Sequence, residues 1–137
     1  MRTLTFLLII VGLSTMAFGQ AIIKFDTDTI KVDTVYFPVP DLSLKNNLQK
    51  KVNLGKVKFL FQNTGNEALI IQSVIDNGVG YCTFSKNIIP TGGKGFVEVA
   101  FFDDNYNEGN FLKYVTIDGN FVGQYKKIYI KGYKKRK

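Results

Sequence analysis

The stretch from residue 59 to residue 102 constrains the fold of this chain more than any other part of the sequence. Apolar side chains recur there at every second position, first at Phe59 and Phe61 and later at Val97, Val99 and Phe101. A period of two is typical of half-buried strands, and almost no segment shows the spacing of an amphipathic helix. The sequence therefore predicts an all-β fold.

Turn-forming residues divide this stretch into strands. Asn-Thr-Gly-Asn at 63–66 tolerates left-handed backbone and predicts a hairpin-like turn, and Pro90 followed by two glycines predicts a second break. Between them, residues 68–75 are apolar on both faces near their start, which predicts a central strand. Turn signals recur about every ten residues, so we expect about seven to nine strands arranged as a β-sandwich.

The amino terminus, residues 1–19, has the parts of a secretory signal peptide. One positive charge precedes an apolar core at 4–13, and small residues at Ala17 and Gly19 predict cleavage before Gln20. A membrane anchor needs about 20 apolar residues, roughly twice the length of this run. We expect an exported protein, periplasmic or secreted, with no transmembrane segment after cleavage.

The remainder predicts one domain at 20–133, followed by a basic tail at 134–137. Its first strands are expected at 22–25 and 29–37. Prolines at 38 and 40 then break the pattern, so the segment 38–54 predicts a loop or an added edge hairpin.

The block from residue 59 onward also resembles a known family. Phe-x-Phe-x-Asn-Thr-Gly-Asn at 59–66 is followed by Leu-Ile-Ile, a Cys-Thr pair, a Pro-x-Gly turn and a Val-x-Val-x-Phe strand. This order resembles the bacterial exported family called domain of unknown function 1573, related to modules of the major sperm protein and ASPM-SPD-2-Hydin type. The resemblance covers roughly residues 22–132 and implies an immunoglobulin-like sandwich, a signal peptide and no established enzymatic activity.

The cysteine region departs from the family pattern. Relatives commonly show Ser-Cys-Gly-Cys-Thr, whereas this chain keeps the second cysteine as Cys82 and has Gly80 at the first. A lone cysteine cannot form an internal disulfide, so the core alone must hold the domain together. Cys82 is either a small buried thiol or a reactive or intermolecular one, and Lys86 is the only cation near it in sequence.

The sequence offers no catalytic constellation. It has no histidine, which removes the commonest general base and every imidazole metal ligand. The acidic loop beginning at Asp103 lacks the glycine and glutamate that a calcium loop needs, because Glu108 and Tyr114 occupy those positions. The glycine-rich run at 91–95 precedes no helix and predicts a turn. We expect no enzyme activity, no metal and no cofactor.

The last predicted strand, residues 125–133, carries one binding candidate. If Ile128 and Ile130 face the core, the alternation of a strand exposes aromatic and basic residues together. These residues are Tyr125, Lys127, Tyr129, Lys131 and Tyr133. They form either an ordinary solvent face or a surface that binds an anionic polymer or a partner protein.

The net charge of +7 raises the same alternatives for the basic tail. It is either a solvated end or a site for anionic envelope polymers or lipid headgroups, and export argues against nucleic acid.

We interpret the chain as a non-catalytic binding or structural module of the bacterial cell envelope, with an unknown envelope protein as partner. An edge strand, the end loops or the tyrosine and lysine face would present the binding surface. The alternative function is binding an anionic glycan or lipid surface.

Overall fold

The computed structural model describes residues 19–38, 52–76, 78, 80–103 and 106–137. This part of the chain forms nine strands. They are β1 (Ile23–Phe25), β2 (Thr29–Lys31), β3 (Val35–Phe37), β4 (Val52–Asn63), β5 (Ile71–Ile75), β6 (Gly80–Phe84), β7 (Lys94–Asp103), β8 (Gly109–Gly119) and β9 (Tyr125–Arg136). None of the described segments is a helix long and apolar enough to cross a membrane.

The strands form two sheets packed face to face. The first has the order β1-β4-β7-β6 and is antiparallel throughout. The second has the order β2-β9-β8-β5, and β3 also pairs with β9. Both β2 and β3 run parallel to β9, whereas its other neighbour β8 is antiparallel. The predicted all-β, immunoglobulin-like sandwich is therefore confirmed.

Alternating side chains from the two sheets fill the core. Phe59, Phe61 and Val99 from the first sheet are buried opposite Ile128 and Ile130 from the second, as the period of two predicts. The ring of Phe25 stands edge-on to that of Phe61, with centroids 5.4 Å apart. Because no disulfide is present among the described residues, this apolar packing is the main source of stability.

The turn at 63–66 is not the predicted hairpin, because it leads from β4 in the first sheet to β5 in the second. Asn63 at its start is fully buried. Its Nδ2 donates to the carbonyls of Glu67 (2.7 Å) and Ile89 (3.1 Å), and its Oδ1 accepts from the amides of Gly65 (3.0 Å) and Ile22 (3.2 Å). One side chain thus holds three separate backbone segments where the chain changes sheets.

Three other predicted elements differ from the structure. The region 29–37 forms two short strands rather than one. Within the predicted central strand 68–75, residues Ile71–Ile75 form β5, which is an edge strand of the second sheet, and Ile70 just before it is 39% exposed. The strand β4 begins at Val52, and Leu54 is fully buried, so the end of the predicted loop 38–54 belongs to the core. A bulge at Gly55, with φ of 121°, accommodates this extension.

The segment before Val52 back to residue 39, and the predicted signal peptide up to residue 18, lie outside the described residues. The residues after the predicted cleavage point are part of the fold. The amide of Gln20 donates to Oδ1 of Asn66 (2.8 Å), and the carbonyl of Ala21 accepts from Val122 (2.9 Å). Ala21 is buried, so this short segment closes one end of the sandwich.

The residues predicted as a basic tail belong to the second sheet, because β9 continues to Arg136 and its end pairs with β3. Lys134 is only 3% exposed, and its Nζ lies 2.6 Å from Oδ2 of Asp103. Lys113 approaches the other carboxylate oxygen at 3.5 Å. Lys134 faces inward because it continues the alternation of Ile128 and Ile130 along the strand.

Candidate ligand-binding face

The five predicted residues of β9, hereafter the tyrosine–lysine stripe, lie together on the outer face of the second sheet. They are Tyr125, Lys127, Tyr129, Lys131 and Tyr133; Tyr129 is half-buried and the other four are exposed. Their placement follows from the strand, since Ile128 and Ile130 on the opposite side are fully buried. The structure therefore brings all five onto one continuous surface, although their binding role remains a prediction.

The neighbouring strand β8 supports the middle of the stripe. Tyr114 lies opposite Tyr129 in register, and their ring centroids are 6.0 Å apart. The ammonium of Lys127 stands 4.9 Å from the centroid of the Tyr114 ring. These contacts hold two aromatic rings and one cation side by side, which is an arrangement suited to planar or anionic ligands.

The lysines of the stripe form no ion pair with a described residue. The ion pairs of the described chain use other lysines: Lys56, Lys113, Lys126 and Lys134. Asp118 lies opposite Tyr125 at one end of the stripe, and Asp33 lines the same cavity as Lys131 at the other end. Positive charge is therefore concentrated at Lys127 and Lys131, and neither lysine has an ion pair with a described residue that an anionic ligand would have to displace.

A groove opens at the other end of the stripe, where the edge of the sheet changes from β2 to β3. Its volume is about 690 Å³. Lys131 and Tyr133 line it together with Lys31, Asp33 and residues from β8. We call this cavity the lysine groove. Gly132 lies in its wall, and a Cβ there would stand 2.8 Å from the ring of Phe111, so a larger residue would not fit without a shift.

The sequence did not point to Lys31, Tyr114 or the groove as part of this face. Lys31 lies in a three-residue strand whose pairing with Lys131, a hundred positions later, leaves no local trace. Tyr114 does share the alternation of β8, which is the signal that would have placed it on the same outer surface.

Cys82 lies on β6, with its side chain half-buried against the core. Burial, and to a lesser degree the carboxylate of Asp76, raises the pKa of its thiol to about 11. Because the thiolate is the reactive form, this environment opposes nucleophilic chemistry. The structure thus favours the packed thiol of the two alternatives.

We expect Cys82 to react with iodoacetamide at pH 9 about 50-fold more slowly in the folded protein than in urea. A thiol with a pKa of about 11 is only ~1% thiolate at that pH, whereas an ordinary thiol is near half ionised. The folded rate should rise about tenfold per pH unit until the pKa is reached. Equal rates in both states, measured by mass spectrometry, would contradict the raised pKa.

The described residues contain no group of three or more acidic or cysteine side chains arranged to hold a metal. Asp103, the first residue of the weak calcium-like pattern, lies at the end of β7 and contacts Lys134 and Lys113 instead. Its role here is to balance buried positive charge, and residues 104 and 105 lie outside the described chain.

The fold and the stripe together define a class: a small immunoglobulin-like sandwich with an aromatic and basic outer face. The chain belongs to the family described as "Protein of unknown function (DUF1573)", whose model matches residues 44–133. No curated protein matches it.

Three solved structures that match this chain are the following. A protein of unknown function from Porphyromonas gingivalis W83 matches with a TM-score of 0.56 and 12% identity, over 82% of this chain and 46% of that chain. This chain thus spans less than half of that protein. The ASH/PapD-like domain 7 of human CEP192 matches with a TM-score of 0.49 and 10% identity, over 86% and 88%. The Vibrio cholerae VesB protease matches with a TM-score of 0.42 and 16% identity, over 82% and 31%.

Proposed function

We propose that this chain is an exported, non-catalytic module of the bacterial cell envelope that binds an anionic glycan through the tyrosine–lysine stripe. The observation that carries the proposal is the alternation of exposed tyrosines and unpaired lysines along one outer strand. Export is supported by the signal-peptide pattern of residues 1–19. The module would act in the periplasm or outside the cell.

The spacing of the stripe suits an extended polymer. Residues four apart on a strand are separated by about 13 Å, so Lys127 and Lys131 form one periodic set and Tyr125, Tyr129 and Tyr133 another. A carboxylate-bearing chain lying along β9 would meet a cation and an aromatic ring alternately. Sugar rings pack their apolar faces on tyrosine, while ammonium groups attract the carboxylates.

Replacing both Lys127 and Lys131 with glutamine should weaken retention of the protein on a polygalacturonate column about five- to tenfold. Exposed charges of this kind each contribute roughly 0.5–1 kcal/mol to binding. Wild-type retention should also fall as sodium chloride rises, because the contacts are screened. Elution volume across a salt series measures both effects.

The matched control replaces Lys24 and Lys94 with glutamine. These exposed lysines lie on the outer face of the first sheet, each beside Gln62 in register, and form no ion pair with a described residue. The control removes the same amount of charge but leaves the stripe unchanged, so this variant should retain wild-type binding within twofold. Equal losses in the two variants would show that net charge alone drives retention, and the stripe would lose its assigned role.

The edge strand β6 of the first sheet, which pairs only with β7 among the described strands, offers a second candidate surface, for an envelope protein rather than a polymer. On β6, the edge strand, Tyr81 is 77% exposed and its ring contacts that of Phe102 with centroids 5.6 Å apart. An extended segment of a partner protein could pair with such an edge by β-augmentation. Crosslinking to an envelope protein that Tyr81→Glu abolishes, with polymer retention unchanged, would favour this candidate.

A further inference from the structure

The lysine groove exists because the edge of the second sheet contains one extra residue. Lys31 pairs with Lys131 and Val35 pairs with Lys134, so four steps along the edge match three steps along β9. At Asp33 and Thr34 the edge segment is not paired with β9, and these two residues form one wall of the groove. A cavity of about 690 Å³ lies within the range of small-ligand sites.

Two lysines converge on this groove from adjacent strands. Lys31 and Lys131 are direct partners in parallel register, which places their α-carbons about 4.8 Å apart with side chains on the same face. The amide of Val32 donates to the carbonyl of Lys131 (2.9 Å) and fixes this register. Neither lysine forms an ion pair within the described chain, so both ammonium groups can approach one anion.

The other groups that line the groove indicate what the rest of a ligand should carry. The carboxylate of Asp33 accepts hydrogen bonds, and the amide of Asn110 both donates and accepts. Leu112 is 61% exposed, and its apolar side chain lines the same groove. Two lysines and one aspartate give the groove a net charge of +1, which matches a monoanion rather than a dianion.

We infer that the lysine groove binds one hexuronate unit of an acidic polysaccharide, with the carboxylate held by Lys31 and Lys131. Asp33 and Asn110 would bind the ring hydroxyls, and Leu112 would contact the apolar face of the sugar. This inference rests on the proposed function and adds to it: the stripe binds the polymer along its length, and the groove selects a carboxylate-bearing sugar at one end.

Calorimetric titration with trigalacturonate tests the assignment, using Lys31→Gln as the variant. Lys31 lies outside the stripe and lines the groove, so this change should weaken trigalacturonate binding about tenfold. Lys24→Gln is the matched control and should not change the affinity. Maltotriose, the neutral sugar probe, should bind at least tenfold more weakly than trigalacturonate.

Three results would overturn the inference. They are an unchanged affinity in Lys31→Gln, equal binding of maltotriose, and equal binding of a glycerol-phosphate oligomer, which carries monoanionic phosphodiesters instead of carboxylates. The stripe has its own test, because Lys127 does not line the groove and the column retention of Lys127→Gln alone is a separate measurement. Conversely, unchanged column retention of Lys127→Gln together with tight trigalacturonate binding by the wild type would refute the stripe and keep the groove.

Discussion

Replacing Asn63 with alanine is expected to lower the free energy of unfolding by about 3–5 kcal/mol, which is a large part of the stability of a domain this size. The fully buried side chain satisfies two backbone amides and two carbonyls on three segments. Alanine would leave these groups without partners in a site that water enters poorly, and each such group costs about 1–3 kcal/mol before relaxation. Urea unfolding followed by far-ultraviolet circular dichroism measures the change.

Asn66→Ala provides the matched control for this prediction. Asn66 is an exposed residue of the same turn, and its side chain accepts one hydrogen bond, from the amide of Gln20 (2.8 Å). Its loss should cost about 1 kcal/mol or less. Asn63→Asp should be nearly as destabilising as alanine, because a carboxylate would face the carbonyls of Glu67 and Ile89. A loss below 1 kcal/mol for Asn63→Ala would show that the turn is held by other contacts.

Asp103→Asn should destabilise the protein by about 3 kcal/mol, because it removes the negative charge that balances a buried lysine. Lys134 is almost inaccessible to water, and its ammonium contacts the Asp103 carboxylate at 2.6 Å. Asparagine keeps the size of the side chain but not its charge. The same unfolding experiment reports the loss.

A double-mutant cycle separates the ion pair from packing at this site. Replacing Lys134 with methionine in the Asp103→Asn background should recover most of the lost stability, since a buried ion pair exchanged for apolar groups is often neutral. The exposed pair Lys56–Glu98, at 3.1 Å, is the control, and breaking it should cost less than about 1 kcal/mol. No coupling between Asp103 and Lys134 would contradict the assigned role of the pair.

The strands were the part of the fold that the sequence could predict. Alternation depends on neighbouring residues and is therefore visible locally, as at Phe59 and Phe61 or Ile128 and Ile130. The stripe followed from the same reasoning, because a buried isoleucine at one position places its neighbours on the opposite face.

Long-range pairing was the part that the sequence could not predict. The turn chemistry at 63–66 suits a hairpin and a crossing between sheets equally, and only the bonds from Asn63 to Ile22 and Ile89 distinguish them. The groove depends on the register of Lys31 with Lys131, which no local pattern records.

The basic end of the chain shows how composition can mislead. A run of lysine and arginine is usually solvated, and for this reason residues 134–137 were predicted to be a tail. The alternation of β9 nevertheless continues into this run. Extending the alternation from Ile130 through Gly132 would have placed Lys134 on the inner face, where the structure has it. Its buried counter-charge, Asp103, is thirty-one positions away and could not be assigned in advance.

The central place of β9 in the second sheet affects the order in which the domain assembles. This last strand lies between β8 on one side and β2 and β3 on the other. Before β9 is synthesised, β2 and β3 lack their pairing partner, and the inner face of the first sheet is only partly covered by the second. The pairings of β2 and β3 with β9 also close loops of about a hundred residues. A nascent chain stalled before residue 125 should therefore remain sensitive to protease, and the domain should fold only after its whole length has been released.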